Sequence, residues 1–399
     1  MKSKLVKKIF VLLAGILFCQ PMLSLPLASA AWQPEISVLV TSNSSELSLT
    51  AVTKAVLQDA DNKKIVQKLA AGQQIKFTIK DAKLTIAAKD KKIAGNVLEL
   101  LPMDNNKALQ IVKINGRDYR GSVRILVQNG KLKVLNVVPV EEYLRGVLPQ
   151  EMPSEWNIEA LKAQAVAARS FALRNRKRHI KDGYDICATT HCQSYLGKAG
   201  ERSSTNQAVA ATRGEVLKYN GQLANTLFHT DSGGMTENSE NVWGTKIPYL
   251  RAAKEVYTNT QPWEKNITLD DLKIVLSKHN QGVGDIKKIK LSPLTVGKSA
   301  NDRTISGRVS YLEIAGNNGS KKITGNDFRN YLGLRSTLFQ VSLRNNVCFI
   351  SGFGWGHGLG LSQWGAKTLA DVKKYDYRAI LAHYYQGTDR KSTRLNSSH

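Results

Sequence analysis

Residues 157 to 181 read NIEALKAQAVAARSFALRNRKRHIK, and this stretch decides the fold. Ile158, Leu161, Ala165, Ala168, Ala172 and Leu173 recur at helical spacing, which predicts one buried, alanine-rich helix. Its small residues let a neighbouring element approach closely. Arg174, Arg176, Lys177 and Arg178 suit the negative end of the helix dipole. On either side lie β-rich runs broken by Asn115-Gly116, Asn129-Gly130 and Asn220-Gly221. Asn-Gly favours the two-residue turn of a hairpin, because both residues accept positive φ. A buried helix among such hairpins predicts an α+β fold built on an antiparallel sheet.

Upstream, the runs ISVLV, LSLTAV, IKFTI and KLTIAA alternate apolar and polar residues between about Glu35 and Asn106. They predict a small β module over 31–108. The module holds no histidine, cysteine or catalytic constellation, so its expected role is wall or partner binding, or spacing. The second domain is expected over 109–388. Within it, 266–344 repeats a helix, strand, hairpin and helix pattern with Thr268 as a cap and Asn318-Gly319 as a turn, and reads as an insertion. A glycine-rich segment, Ser351 to Gly360, and a helix ending near Tyr385 follow.

The chain opens on Lys2, Lys4, Lys7 and Lys8, an apolar run from Ile9 to Phe18, and Ala28-Ser29-Ala30. This order predicts a secretory signal peptide over 1–30; the alternative, an uncleaved anchor, has a short apolar run for a bilayer span. The other end, DRKSTRLNSSH from Asp389 to His399, resembles the in-frame translation of a sequencing adapter and is set apart as a non-native tail. The formal charge is +25, and +19 remains without the four signal lysines and the tail's net two. Such a chain favours polyanions, which outside the cytoplasmic membrane are wall polymers and lipid head groups rather than nucleic acid. The lysines are scattered, so a solvated basic surface accounts for most of them.

Three stretches are dense in Gly, Pro, His, Trp and carboxylate: EYLRGVLPQEMPSEW (142–156), HTDSGGMTENSENVWG (229–244) and GFGWGHGLGLSQWGA (352–366). With ALKAQAVAARSFAL and DICATTHCQSY, they closely resemble the stage II sporulation protein D and amidase-enhancer family of bacterial wall proteins. The resemblance runs from about Tyr119 to Gly387. It implies a secreted, wall-associated lytic transglycosylase acting on peptidoglycan glycan strands. The implied bond joins N-acetylmuramic acid to N-acetylglucosamine and leaves a 1,6-anhydro end, with some members preferring peptide-stripped strands.

The glutamate of the family's EMP motif maps onto Glu151. Cleaving a glycosidic bond needs a proton for the leaving oxygen, and a lytic enzyme reuses the same carboxylate to take a proton from the sugar's own 6-hydroxyl. A hydrolase would need a second acid, for which Glu155, Asp231 and Glu237 are candidates. Glu151 reads as lying just before the alanine-rich helix, capped by Ser154 or Asn157, where backbone amides favour the ionised form. Burial beside Met152, Pro153 and Trp156 therefore has to raise its pKa.

The glycine-rich second and third motifs let backbone approach a ligand. His229, Ser232, Gly233, Glu237, Trp243, His357, Ser362 and Gln363 are the expected substrate-binding residues. Trp355 and Trp364 also offer flat faces to sugar rings, although any one tryptophan can equally be core. Cys187, His191 and Cys192 offer three zinc ligands and leave one position for water or another side chain; a Cys187–Cys192 disulfide is the alternative. Because family members exist without these cysteines, no cofactor is expected in the chemistry, and any zinc is structural. Cys348 reads as a core cysteine. Two rival functions stay open: a binding protein that stimulates a separate wall amidase, and a zinc hydrolase centred on the cysteine cluster.

Overall fold

The alanine-rich helix forms over Ile158–Arg174 (α2) in a computed structural model that describes residues 34–81, 83–86, 91–92, 97–103, 110–255 and 262–392. The expected signal segment, 1–30, lies outside the described residues. Asn157 caps α2 by accepting the Glu159 N–H at 3.0 Å. The helix is shorter than the 157–181 expected. At its end the Asn175 amide donates to the Phe171 carbonyl at 2.8 Å, and Lys177 takes a φ of 69°. The basic run after Arg174 is therefore turn, and not helix.

Every residue from Ala163 to Ala172 is buried, so α2 is packed on all sides. Its neighbours are α1 (Val140–Glu151), α3 (Ser203–Ala211) and, after the short α4 (Ser239–Trp243), α5 (Leu269–Lys278) and α6 (Gly325–Leu332), the pair α7 (Gln363–Asp371) and α8 (Tyr377–Tyr384). Arg169 sits mid-helix with no exposed surface. Its guanidinium donates to both oxygens of Glu141 on α1 at 2.9 and 2.8 Å and to the Glu215 carbonyl at 3.1 Å.

The fold is α+β. The boundary expected at 108 is not a break in the sheets. In the seven-stranded sheet, Glu35–Ser44 pairs antiparallel with Lys131–Pro139, and Ser122–Gln128 pairs with Val97–Pro102. In the six-stranded sheet, Glu46–Ala51 lies between Gln74–Lys80 and Ile111–Ile114. Residues on both sides of 108 share one core, including Ile36, Leu57, Val134 and Leu144. Period-two alternation specifies which face of a strand is buried but not which strand covers it. The Asn-Gly turns at 115, 129 and 220 all take positive φ at both residues.

The insertion is wider than 266–344. Trp263–Thr268 pairs with Val347–Gly352, so the module closes at Trp263 and Gly352. It has its own core of Leu272, Leu276, Ile314 and Phe328. Asp389–Ser392, set apart as tail, forms a strand against Glu215–Tyr219, and Arg390 pairs with Glu215 at 2.7 Å.

Removing one partner of a buried ion pair strands the other charge. Glu141→Ala is expected to cost about 3–5 kcal/mol, measured as a lowered urea midpoint at unchanged m-value.

Candidate active site

Glu151 is the last residue of α1, a correction to its expected place before α2. Gly146 and Pro149 weaken the helix pattern of this run, yet burial of Tyr143, Leu144, Val147 and Leu148 holds it helical. The C-terminal end of a helix disfavours negative charge, the reverse of the expected amide environment. The carboxyl has two described hydrogen-bond partners from distant chain: the Ser194 N–H reaches Oε1 at 3.3 Å, and the Gln363 amide reaches Oε2 at 3.4 Å. Burial pushes Glu151 up to about 7, against the opposing pull of Ser194 and Gln363. Trp156, five residues on, meets Trp364, which follows Gln363, with ring centroids 4.8 Å apart and planes tilted by 57°.

Both partners are held by structure. Gln363 opens α7, whose cap Ser362 accepts the Gly365 N–H at 3.2 Å. Ser194 follows Gln193, which accepts the Tyr143 hydroxyl at 3.0 Å and donates to the Ala168 carbonyl at 3.3 Å. The next residue, Tyr195, donates its hydroxyl to Asn136 at 2.7 Å. A Cβ on Gly146 would stand 2.6 Å from the Tyr195 ring, so this loop can lie on α1 only over glycine.

The second and third motifs are bound to each other. Phe228–His229 pairs with Leu361–Ser362, and Asp231 bridges Trp355 through N–H···O bonds of 3.0 and 2.8 Å. Of the eight expected binding residues, Gln363 is the one with a described bond to Glu151. His229, Ser232 and Ser362 are buried; His229 Nδ1 donates to the Leu359 carbonyl at 3.1 Å, and the Ser232 carbonyl accepts from Arg308 at 2.9 Å. Burial holds the His229 ring well below the usual imidazole range and brings His357 down to about 4. Glu237 is not open to substrate. Its carboxylate accepts from Asn238 N–H, Asn241, Thr304 and Ser306 and latches the second motif to the insertion. Gly233 needs its φ of 79°, and Trp243 lies half exposed on α4. Glu155 is exposed, and no described bond joins Glu151 to a second acid.

The cysteine cluster gains a fourth member that sequence reading missed, His179, hidden in the basic run after α2. The ligand atoms of His179, Cys187, His191 and Cys192 lie within 4.8 Å of one another. His191 Nδ1 is 3.6 Å from each sulfur, and His179 Nε2 is 3.5 Å from Cys192 Sγ. Zn–S and Zn–N bonds of about 2.3 and 2.1 Å at tetrahedral angles require S···N edges of about 3.6 Å, so the donor set fits zinc. His179 also turns Nδ1 toward Asp182 at 3.8 Å, the outer support expected of a ligating histidine. The turn that joins His191 and Cys192 is closed by Cys192 N–H to Thr189 C=O at 3.0 Å, and both thiols are free. With four side chains available, no position is left for a reacting water.

A family described as stage II sporulation protein matches residues 128–219, which contain Glu151, the cysteine cluster and Ser194. Stage II sporulation protein D of Bacillus amyloliquefaciens is 34% identical over 63% of this chain and 74% of that protein. The chain belongs to the stage II sporulation protein D family. An uncharacterised protein of Brachyspira hyodysenteriae is 38% identical over 69% of this chain and 73% of its own length. The amidase enhancer of Bacillus subtilis is 32% identical over 80% of this chain, which spans half of that longer protein. Residues 251–360 of this stage II sporulation protein D relative match a domain of unknown function, DUF8618. That span contains Arg308, which is fully buried against the third motif and which burial brings down to about 10.

The raised Glu151 value has a stability consequence. From pH 4.5 to about 7 the unfolded chain has lost this proton while the folded chain keeps it, so stability falls as pH rises through that window. Glu151→Gln removes the penalty. It is expected to stabilise the fold by on the order of 2–3 kcal/mol at pH 8 and by little at pH 4, read from paired denaturation curves.

Proposed function

We propose that this protein is a peptidoglycan lytic transglycosylase that cleaves the bond between N-acetylmuramic acid and N-acetylglucosamine, with Glu151 as acid and then base. The observation that carries the reading is a carboxyl that burial raises to about 7 and that two distant stretches of chain hold through the Ser194 N–H and the Gln363 amide. The neutral acid donates its proton to the glycosidic oxygen as the bond to the muramic acid C1 breaks. The carboxylate so formed is held by the Ser194 N–H and the Gln363 amide. It then takes the proton of the muramic acid 6-hydroxyl as that oxygen closes on C1, which leaves a 1,6-anhydro end and restores the acid. No second carboxylate is needed, in keeping with the absence of an acid bonded to Glu151 among the described residues.

Family membership supports a wall-related role, and the proposed site of action is extracytoplasmic, on glycan strands. No described helix is long and apolar enough to cross a membrane. The proposed zinc site, His179, Cys187, His191 and Cys192, is structural. It would fasten the loop that ends in Ser194, and the metal would supply folding energy rather than a nucleophile. A second reading, favoured by the likeness to an amidase enhancer, is a protein that binds the wall and stimulates a separate amidase without cutting glycan.

Mass spectrometry of sugars released from peptide-free peptidoglycan glycan separates these readings. Anhydro-ended products are expected from the wild type and a loss of about 10²–10⁴-fold in Glu151→Gln. Reducing-ended products would overturn the lytic route, and no release by the wild type would favour the enhancer. Because the first step needs the protonated acid, kcat/KM is expected to fall as pH rises above about 7. Removing zinc with a chelator is expected to lower Tm by several degrees and to lower activity with it. Metal analysis finding no zinc, together with a mass matching a Cys187–Cys192 disulfide, would contradict the metal site.

A further inference from the structure

Where α2 ends, the chain makes a tight turn that carries a run of charge to the surface. Arg174, Arg176, Lys177, Arg178 and Lys181 are all exposed, and none of them makes an ion pair among the described residues. The two acids of the segment are engaged elsewhere. Asp185 accepts from the Ser37 N–H and hydroxyl, both at 2.9 Å, and from the Lys177 N–H at 3.0 Å, while Asp182 faces His179 at 3.8 Å. Lys133, on the strand Lys131–Pro139, reaches the same turn, where its ammonium donates to the Asp182 carbonyl at 3.3 Å. Among these cations stands Ile180, 59% exposed.

The turn is held in shape by its own backbone. The N–H groups of Arg178, Ile180 and Gly183 donate to the carbonyls of Asn175, Lys177 and Ile180 at 3.0, 3.1 and 3.1 Å, and His179 bridges Tyr184. The His179 ring stacks on the buried Tyr184 with centroids 4.8 Å apart, so the residue before Ile180 is turned inward while Ile180 itself is held out in water. One exposed isoleucine is ordinary on a protein surface. Set in a ring of cations with no acid to pair them, it has the pattern of an interfacial anchor, with the apolar group at the acyl boundary and the charges at the head groups.

We propose that this turn docks the protein on a bilayer surface of anionic phospholipids, with Ile180 entering the interface and Arg176, Lys177, Arg178 and Lys181 on the head-group phosphates. Guanidinium groups match phosphate oxygens in bidentate fashion, and ammonium groups add charge without that geometry. A phosphodiester polymer of the wall would satisfy the cations but leave Ile180 in water, whereas a bilayer takes both. The inference stands apart from the glycan reading and needs no leading apolar segment. It also ties the surface contact to the candidate site: His179 lies 3.5 Å from Cys192, and the loop that follows brings the Ser194 N–H to Glu151.

The test is co-sedimentation of the chain from Ala31, the expected mature form, with vesicles of phosphatidylcholine alone or mixed equally with phosphatidylglycerol. Leaving out the apolar leading segment keeps it from carrying the binding. Binding is expected to the anionic vesicles alone and to weaken as salt rises. Replacing three cations at once, Arg176→Gln, Lys177→Asn and Arg178→Gln, should weaken it about 100-fold, and Ile180→Ser should weaken it several-fold. A control with the same loss of charge on the strand Ile286–Lys290, namely Lys287→Gln, Lys288→Gln and Lys290→Gln, should bind like the wild type. Each variant is compared at a melting temperature equal to that of the wild type. No binding to anionic vesicles, equal losses in the two triple variants, or unchanged binding by Ile180→Ser would each overturn the inference. Soluble polyglycerol phosphate that binds the wild type but not the first triple variant, with no vesicle binding, would assign the turn to a wall polymer instead.

Discussion

The Glu151 carboxyl lies where three distant stretches of chain converge, and the rest of the site is arranged around its burial. It ends a helix whose dipole opposes a negative charge, yet two donors, the Ser194 N–H and the Gln363 amide, are aimed at its oxygens. Burial wins, and the group stays near 7. The balance matters because an acid that must give a proton and take one back works best with a pKa near the working pH. Without burial, the group would sit at an ordinary value and be ionised before substrate arrived.

Much of the fold serves to deliver those two donors. Ser194 comes from a loop pinned to α1, α2 and the seven-stranded sheet through Gln193 and Tyr195, and the cysteine and histidine cluster lies on the same loop. Gln363 comes from α7, whose start is tied to the second motif through Ser362 and Ser232. The inserted module reaches the same place from another direction. Arg308 donates to the Ser232 carbonyl, and Thr304 and Ser306 bond Glu237. A Cβ on Gly358 would stand 2.6 Å from the Arg308 Nε, so glycine there gives the arginine its path. Several buried polar groups are thus bonded across segments far apart in sequence, while Arg308 Nε has no hydrogen-bond partner among the described residues.

The alanine-rich helix, the three Asn-Gly hairpins and the α+β class were legible in the residues because each is a local pattern with a local cause. The extent of the β region was not. Ile36 and Val38 announce a buried face, but only the folded register pairs them with Val138 and Asn136. Among site residues, Gln363 was legible from its motif. The partners that hold His229 and Glu237 inside the fold, Leu359, Thr304 and Ser306, could not be read from the motif, because they are remote in sequence. His179 stayed hidden in a basic run, although a histidine eight residues before Cys187 is a spacing that a search for a fourth ligand would find. Glu255 gave no signal at all. It lies buried beneath α7, accepts the Tyr384 hydroxyl at 2.9 Å, and is pushed up to about 7 by burial.

The most direct test of the account is a difference infrared titration of the wild-type protein against Glu151→Gln, in which the Glu255 contribution cancels. The account predicts a protonated-carboxyl band, absent from the variant, that persists through pH 6 and disappears around pH 7. A band that disappears in the ordinary carboxylate range, near pH 4.5, would contradict it.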